Sequence, residues 1–181
     1  MKLIITGSEG NIGRRLRRAF PGCIGIDRAA GAEIRADLSI VDYGDPAIAA
    51  VLRGADALIH LATSADPDAP EAVHWQAVVD AARLFAACAA HGVGRIVVAS
   101  SDWAAPKNGA AINSYGRSKL ALESLAAMYA AGQRSARVIR VGWVPHDPAE
   151  LAAAPDWLRR NCWDDDRLAA EFRRALPIAE Q

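Results

Sequence analysis

The sequence predicts a doubly wound α/β fold, a parallel sheet of about six strands with helices on both faces. Two observations predict it. Short apolar runs rich in β-branched residues alternate with longer stretches of helical spacing, about five times over. A glycine-spaced turn joins the first such run to the first helical stretch, where open α/β sheets bind their ligands.

The elements follow in order. Leu3–Thr6 is the first strand, and Asn11–Ala19 is the first helix. Cys23–Ile26 makes the second strand and 33–36 a weaker third, before a short helix over Pro46–Leu52. Ala57–Leu61 is the fourth strand, 70–91 a long Ala-rich helix and Arg95–Ser100 the fifth strand. In the stretch 114–131, Leu120, Leu122, Leu125, Ala126 and Met128 recur at helical spacing, and 136–141 is the sixth strand. The tail from Glu150 to Gln181 reads as helical and charged, with Pro155 marking a break or a helix start. With no internal repeat, low-complexity linker or composition shift, residues 1–181 predict a single domain, with 145–181 a short helical segment on the substrate side.

Composition narrows the function classes. The chain has 181 residues, 52% hydrophobic and 23% charged, as a globular protein should. Lys plus Arg and Asp plus Glu each number 21, and this neutrality argues against nucleic acid or an anionic membrane surface as the main partner. Cys23, Cys88 and Cys162 form no CxxC pattern, which reads as reduced thiols in a cytoplasmic protein without a disulfide frame or zinc site. No apolar run reaches the roughly 18 residues of a membrane span or resembles a signal peptide core. His60, His74, His91 and His146 share no ligand spacing, so no metal is expected. Arg14, Arg15, Arg17 and Arg18 read as a solvated helix face, Asp164–Asp166 as a solvated helix start, and Trp157 and Trp163 as core anchors.

The turn Thr6-Gly7-Ser8-Glu9-Gly10-Asn11-Ile12-Gly13 has GxxGxxG spacing. Such a loop uses glycine for a tight turn, for backbone approach to a pyrophosphate and for close helix packing. The helix start adds free N–H groups and a positive dipole end. The bare spacing is weak, since roughly 0.1 such patterns arise by chance in a chain like this. Its place after the first strand makes it specific. Asp27 ends the second strand, 20 residues after Gly7, where a carboxylate accepts hydrogen bonds from an adenosine ribose. It would repel a 2′-phosphate and so favours NAD over NADP, although the neighbouring Arg28 can grip such a phosphate.

Lysine occurs only at Lys2, Lys107 and Lys119, and Lys119 closes a YxxxK pair, Tyr115-Gly116-Arg117-Ser118-Lys119. Residues i and i+4 share a helix face, and an ammonium beside a phenol lowers its pKa towards a usable general acid or base. The preceding strand ends in Val97-Val98-Ala99-Ser100-Ser101, whose hydroxyls reach the ligand-binding edge.

In this order, TGSEGNIG, Asp27, Ala36-Asp37-Leu38, His60-Leu61-Ala62-Thr63, VASS and YGRSK resemble the extended and atypical short-chain dehydrogenases/reductases, with uronate dehydrogenases and sugar-nucleotide epimerases the nearest likeness. The resemblance covers about residues 1–166 and implies the Rossmann fold. It implies that Gly7, Gly10, Asn11, Ile12 and Gly13 hold the dinucleotide, that Asp37 and Leu38 border adenine, and that Leu61, Ala62 and Thr63 line the nicotinamide ribose. Ser101 would polarise the substrate, with Ser100 the fallback. Tyr115 would move the proton, and Lys119 would bind the ribose and lower the Tyr115 pKa. His60 would be structural. The function implied is an NAD(P)-dependent oxidoreductase acting at a hydroxyl or carbonyl of a small polar substrate, a sugar or sugar acid. The alternatives are a non-catalytic dinucleotide-binding sensor or partner subunit, and an epimerase or dehydratase. The resemblance further implies a homodimer through the 70–91 and 114–131 helices, with Phe85, Leu122 and Met128 on the paired faces. Two departures stand out. Ser101 and Tyr115 are only 14 positions apart, and the part beyond the sixth strand is short.

Overall fold

The computed structural model describes residues 1–106 and 111–176. The end of the predicted helical tail, 177–181, and residues 107–110 between Ser101 and Tyr115 lie outside them. Six parallel strands form one sheet in the order β3-β2-β1-β4-β5-β6. They are β1 (Leu3–Thr6), β2 (Ile24–Asp27), β3 (Ile34–Arg35), β4 (Ala57–His60), β5 (Arg95–Ser101) and β6 (Ser135–Val141). The helices are α1 (Asn11–Ala19), α2 (Pro46–Leu52), α3 (Glu71–Ala90), α4 (Ser114–Tyr129), α5 (Pro148–Ala153), α6 (Asp156–Arg159) and α7 (Asp165–Ala175). The doubly wound fold and every predicted strand are present, with ends differing by a residue or two.

Strand pleating divides the core in two. Ile4, Leu58, Ile96 and Val98 face α2, α3 and α4, packing with Leu52, Leu84, Phe85 and Leu122. Leu3, Ile5, Ile59, Val97 and Ile139 face the other way, onto Leu16 of α1 and Leu168 and Phe172 of α7. The C-terminal segment is therefore half of one core layer. Trp163 is buried in that layer, as expected of a core anchor, with the Arg167 guanidinium 4.5 Å from its ring centre. Asp164 caps α7 by accepting from the Arg167 N–H at 2.8 Å.

Three expectations need correction. Phe85 and Leu122 lie inside the chain's own core and cannot present a dimer face, and of the three only Met128, 75% exposed, faces outward. In Ala-rich helices small apolar residues spread over most of the surface, so composition does not reveal which side is buried. Trp157 is 67% exposed and is not a core anchor. The α1 arginines are not all solvated, because Arg15 pairs with Asp165 at 2.5 Å and Arg17 with Glu9 and Glu33. Among the described residues no helix is long and apolar enough to cross a membrane.

Phe172 is fully buried between α7 and the sheet. Phe172→Ala should therefore destabilise the protein by about 3–5 kcal/mol, read as a lower urea midpoint. A loss below about 1 kcal/mol would show that α7 is only loosely attached.

Candidate active site

The β1–α1 turn is shaped by two close backbone approaches. Gly7 has φ +71°, and a Cβ there would lie 2.7 Å from the Ala62 nitrogen at the end of β4. A Cβ on Gly13 would lie 2.1 Å from the Gly7 carbonyl oxygen. Neither position tolerates a side chain, so α1 starts against the loop and the loop lies against β4. Gly10 precedes α1 without a side-chain cap, leaving the helix's first N–H groups directed outward.

A cleft in two connected halves opens along this edge, where β1 and β4 adjoin and their connections diverge. One half, about 600 Å³, is bordered by Asp27, Arg28, Asp37, Leu38 and Ala62. The other, about 530 Å³, holds Asn11, Ile12, Gly13, Ser101, Tyr115 and Lys119. Gly7, Gly10, Leu61 and Thr63 line both. Every site residue expected from the sequence thus faces one cleft.

In the first half, the Asp27 carboxylate accepts from the Glu9 N–H at 2.9 Å and the Ala29 N–H at 3.0 Å, tying the glycine turn to β2. Asp37 accepts from the Ser39 N–H and hydroxyl, at 3.0 and 2.7 Å, which hold its carboxyl below the usual range. Arg83 of α3 donates to the carbonyls of Leu38, Ser39 and Val41 and fixes the wall they form.

In the second half, Asn113 caps α4 by accepting from the Gly116 N–H at 2.9 Å. Gly116 is needed there, since a Cβ would lie 2.3 Å from the Trp103 carbonyl oxygen. This seats Tyr115 and Lys119 on the face of α4 turned to the strand ends. Lys119 is 4% exposed and donates to Thr63 Oγ1 at 2.5 Å, and burial lowers its pKa to about 8. Its ammonium lies 5.0 Å from the Tyr115 ring centre. Burial raises the Tyr115 pKa, and the nearby Asp102 charge adds to this. The expected lowering by Lys119 is thus not seen. The ammonium faces the ring and bonds to Thr63, and desolvation dominates.

The two serines have different partners. Ser100 donates to Glu123 at 2.6 Å, and Glu123 is held by both sides of the Arg140 guanidinium, so its hydroxyl is committed away from the cleft. Ser101 accepts from the Trp103 N–H and donates to Asp102 Oδ1, both at 3.2 Å. His60 is fully buried, with Nδ1 2.8 Å from Thr6 Oγ1, and burial lowers its pKa to about 3, as befits a structural residue. Asn11 bonds the Val144 carbonyl at 2.9 Å and accepts from Arg15, so its amide braces the turn.

Sequence reasoning missed several cleft residues: Glu9 in the first half, and Asp102, Trp103, Trp143, Trp157 and Asn161 in the second. Asp102 had a legible signal, directly following a serine at a strand end on the binding edge. Asn161 had none. Among the described residues no three metal-ligating side chains converge.

The chain belongs to the NAD dependent epimerase/dehydratase family, which it matches over residues 3–144. Among solved structures, MoeE5 in complex with UDP-glucuronic acid and NAD is 26% identical, with a TM-score of 0.65, over 80% of this chain and 56% of its own. A short-chain dehydrogenase/reductase superfamily protein from Agrobacterium tumefaciens with bound NAD is also 26% identical, TM-score 0.60, over 80% of this chain and 50% of its own. The chain therefore spans about half the length of these two proteins. A mutated uronate dehydrogenase shares the fold at 23% identity and a TM-score of 0.78, over 99% of this chain and 70% of its own. No curated protein sequence matches the chain.

The burial of Lys119 has a stability consequence. Its folded pKa is below the unfolded one, so between about pH 8 and pH 10.5 the unfolded chain binds more protons and stability rises with pH. Below pH 8 the buried charge opposes folding. Lys119→Met should stabilise the protein at pH 7 by about 2–3 kcal/mol, and the gain should vanish above pH 10.5. Urea unfolding of both proteins across this range checks it, and a gain unchanged at pH 11 would count against it.

Proposed function

We propose that the chain is an NAD-dependent oxidoreductase that passes hydride between the cofactor and a hydroxyl-bearing carbon of a small polar substrate, a sugar or sugar acid, with Tyr115 moving the proton. One observation carries the reading: Ser101, Tyr115 and Lys119 meet in the half-cleft that shares Gly7, Gly10, Leu61 and Thr63 with the half bordered by Asp27 and Asp37. A dinucleotide fits these residues. A Cβ at Gly7 or Gly13 would collide with backbone, and the start of α1 has N–H groups without side-chain caps, as a pyrophosphate requires. Family membership and the NAD bound in two of the similar solved structures support the choice of cofactor.

On this reading Gly7, Gly10 and the start of α1 hold the pyrophosphate, with Ile12 and Gly13 packing behind it. Asp27 accepts the adenosine ribose hydroxyls, and Asp37 and Leu38 border adenine. Thr63 and Lys119 hold the nicotinamide ribose. The nicotinamide ring, when bound, supplies the two-electron hydride chemistry. Ser101 and Tyr115 hold the substrate oxygen. Tyr115 gives a proton to that oxygen in reduction and takes one in oxidation, a role typically worth 10²–10⁴ in rate. Exposed Trp103 and Trp157 provide flat apolar walls for a sugar ring.

A cofactor-reduction assay across uronates, aldoses and simple alcohols tests the reading. Turnover with at least one should be abolished by Tyr115→Phe, while NAD affinity stays nearly unchanged. NAD binding without turnover of any substrate would instead favour a dinucleotide-binding sensor. NAD retained through turnover without net reduction would favour an epimerase or dehydratase. In calorimetric titration NAD should bind at least several-fold tighter than NADP, and Asp27→Ala should shrink the difference. Equal or tighter NADP binding by the unaltered protein would overturn the assignment of Asp27.

A further inference from the structure

Tyr115 stands on the least-held turn of its helix. It is the second residue of α4, and the first N–H groups of a helix have no partner four residues back. Lateral ties must therefore fix where its side chain points. Asn113 supplies one by accepting from the Gly116 N–H. The other comes from α3, from a histidine that the proposed chemistry does not use.

His74 is 2% exposed, and both of its ring nitrogens are engaged. Nε2 lies 3.0 Å from the Asp66 carbonyl oxygen, in the loop between β4 and α3. A carbonyl only accepts, so Nε2 carries a hydrogen. In the neutral ring this leaves Nδ1 with a lone pair, which accepts from the Ser114 hydroxyl at 2.9 Å. Ser114 is the first residue of α4 and the direct neighbour of Tyr115. The His74 ring also meets the Tyr115 ring edge-on, with centres 5.7 Å apart and planes at 63°. Trp103 meets the same ring at 6.3 Å and 80°, and the Lys119 ammonium lies 5.0 Å from its centre. The loop that His74 grips also carries the Thr63 hydroxyl that holds Lys119. A single imidazole thus sets both members of the Tyr115–Lys119 pair against one stretch of backbone, 63–66.

An apolar side chain of similar size would fill the same space between α3 and α4. What the imidazole adds is direction, because a fully satisfied buried polar network specifies one arrangement. An acid/base must lie within hydrogen-bond reach of the atom it serves, and a displacement of about 1 Å can cost ~10²-fold in rate. We propose that His74 is a positioning residue, which seats the Tyr115 hydroxyl in the cleft through its hydrogen bond with Ser114. The proposal rests on Tyr115 being the acid/base. His74 itself touches no reacting atom and gives up no proton.

The two bonds of His74 can be removed separately. An asparagine carbonyl oxygen falls near the place of Nδ1, so His74→Asn keeps an acceptor for Ser114 and drops the bond to Asp66. A glutamine amide nitrogen falls near the place of Nε2, so His74→Gln keeps the loop bond and drops the one to Ser114. Ser114→Ala removes that same bond from its other end. A residue that only packed would lower the rate in step with stability. For any alcohol the assay turns over, His74→Gln and Ser114→Ala should each lower kcat about tenfold, with KM and NAD affinity within about twofold. His74→Asn should keep kcat within about threefold, although its smaller side chain leaves the larger gap and should lower the urea midpoint most. His74→Gln combined with Ser114→Ala should be no slower than Ser114→Ala alone.

A second readout needs no substrate or cofactor. It is the phenolate absorbance of Tyr115, taken in each variant as the difference from the same chain carrying Tyr115→Phe. The other charged groups around Tyr115 stay in place throughout: Lys119 of α4, Asp102 of the turn after β5, and His146 and Glu150 lining the same half-cleft. Loss of the seat admits water to a phenol that burial keeps protonated. The midpoint should therefore fall by at least about 0.3 pH units in His74→Gln and Ser114→Ala, and less than half as far in His74→Asn. An unmoved midpoint, an equal fall in His74→Asn, or rates that follow the urea midpoint instead of the Ser114 bond overturns the proposal. A moved midpoint in a chain that oxidises nothing supports the seat and sinks the oxidoreductase reading, and turnover with an unmoved midpoint does the reverse.

Discussion

Two backbones pass at Gly7 with no room for a side chain between them. A Cβ at that glycine would lie 2.7 Å from the Ala62 nitrogen and 2.8 Å from the Leu61 carbonyl carbon. The contact joins the end of β1 to the end of β4, the pair from which the sheet winds outward in opposite directions. Because the connections leaving these strands diverge there, the space above is a crevice, and whatever the neighbouring strand ends carry is aimed into it. Asp27 enters from β2 and Ser101 from β5. Tyr115 and Lys119 enter from α4, which packs across β5 and carries its own glycine at the contact with the Asp102–Ala104 turn.

Glycine alone makes a turn possible without making it rigid, and arginines supply the rigidity. Arg17 joins Glu9 in the turn to Glu33 near β3, while Glu33 also accepts from the Gly25 N–H of β2. Arg15 spans the Pro145 carbonyl and Asp165, whose carboxyl it holds below the usual range by hydrogen bonding. Each pair is only part-buried and contributes little alone, of order 1 kcal/mol or less. Their weight is geometric. A planar guanidinium carries five donors in a rigid fork and so fixes the directions of several acceptors at once, where a lysine ammonium is a rotating point charge.

The parts legible in the sequence are those whose signal is local. Strand runs, the glycine spacing and the Tyr115–Lys119 pair each lie within a few residues, and tertiary packing left them where their spacing put them. Asp102 bonding to Asn161 spans 59 positions and depends on a bridge between Trp143 and Cys162 that only Gly142 allows, so no window of sequence contains it. Trp157 was misread because tryptophan is usually more valuable inside, yet it stands at a cleft. Phe85 and Leu122 were misplaced because α3 and α4 are apolar nearly all round. In such helices the packing partner, here the sheet, decides the buried side.

The expected chemistry of a tyrosine beside a lysine assumes that the ammonium stabilises a phenolate. Burial in this cleft opposes both charges, raising the Tyr115 pKa and lowering that of Lys119 to about 8. Below pH 8 the desolvation of the ammonium is already part of the folded state, so only that of the phenolate remains when Tyr115 loses its proton. Lys119 keeps its contacts with Thr63 and Ser64, and the ionisation of Tyr115 is set by what surrounds the tyrosine oxygen.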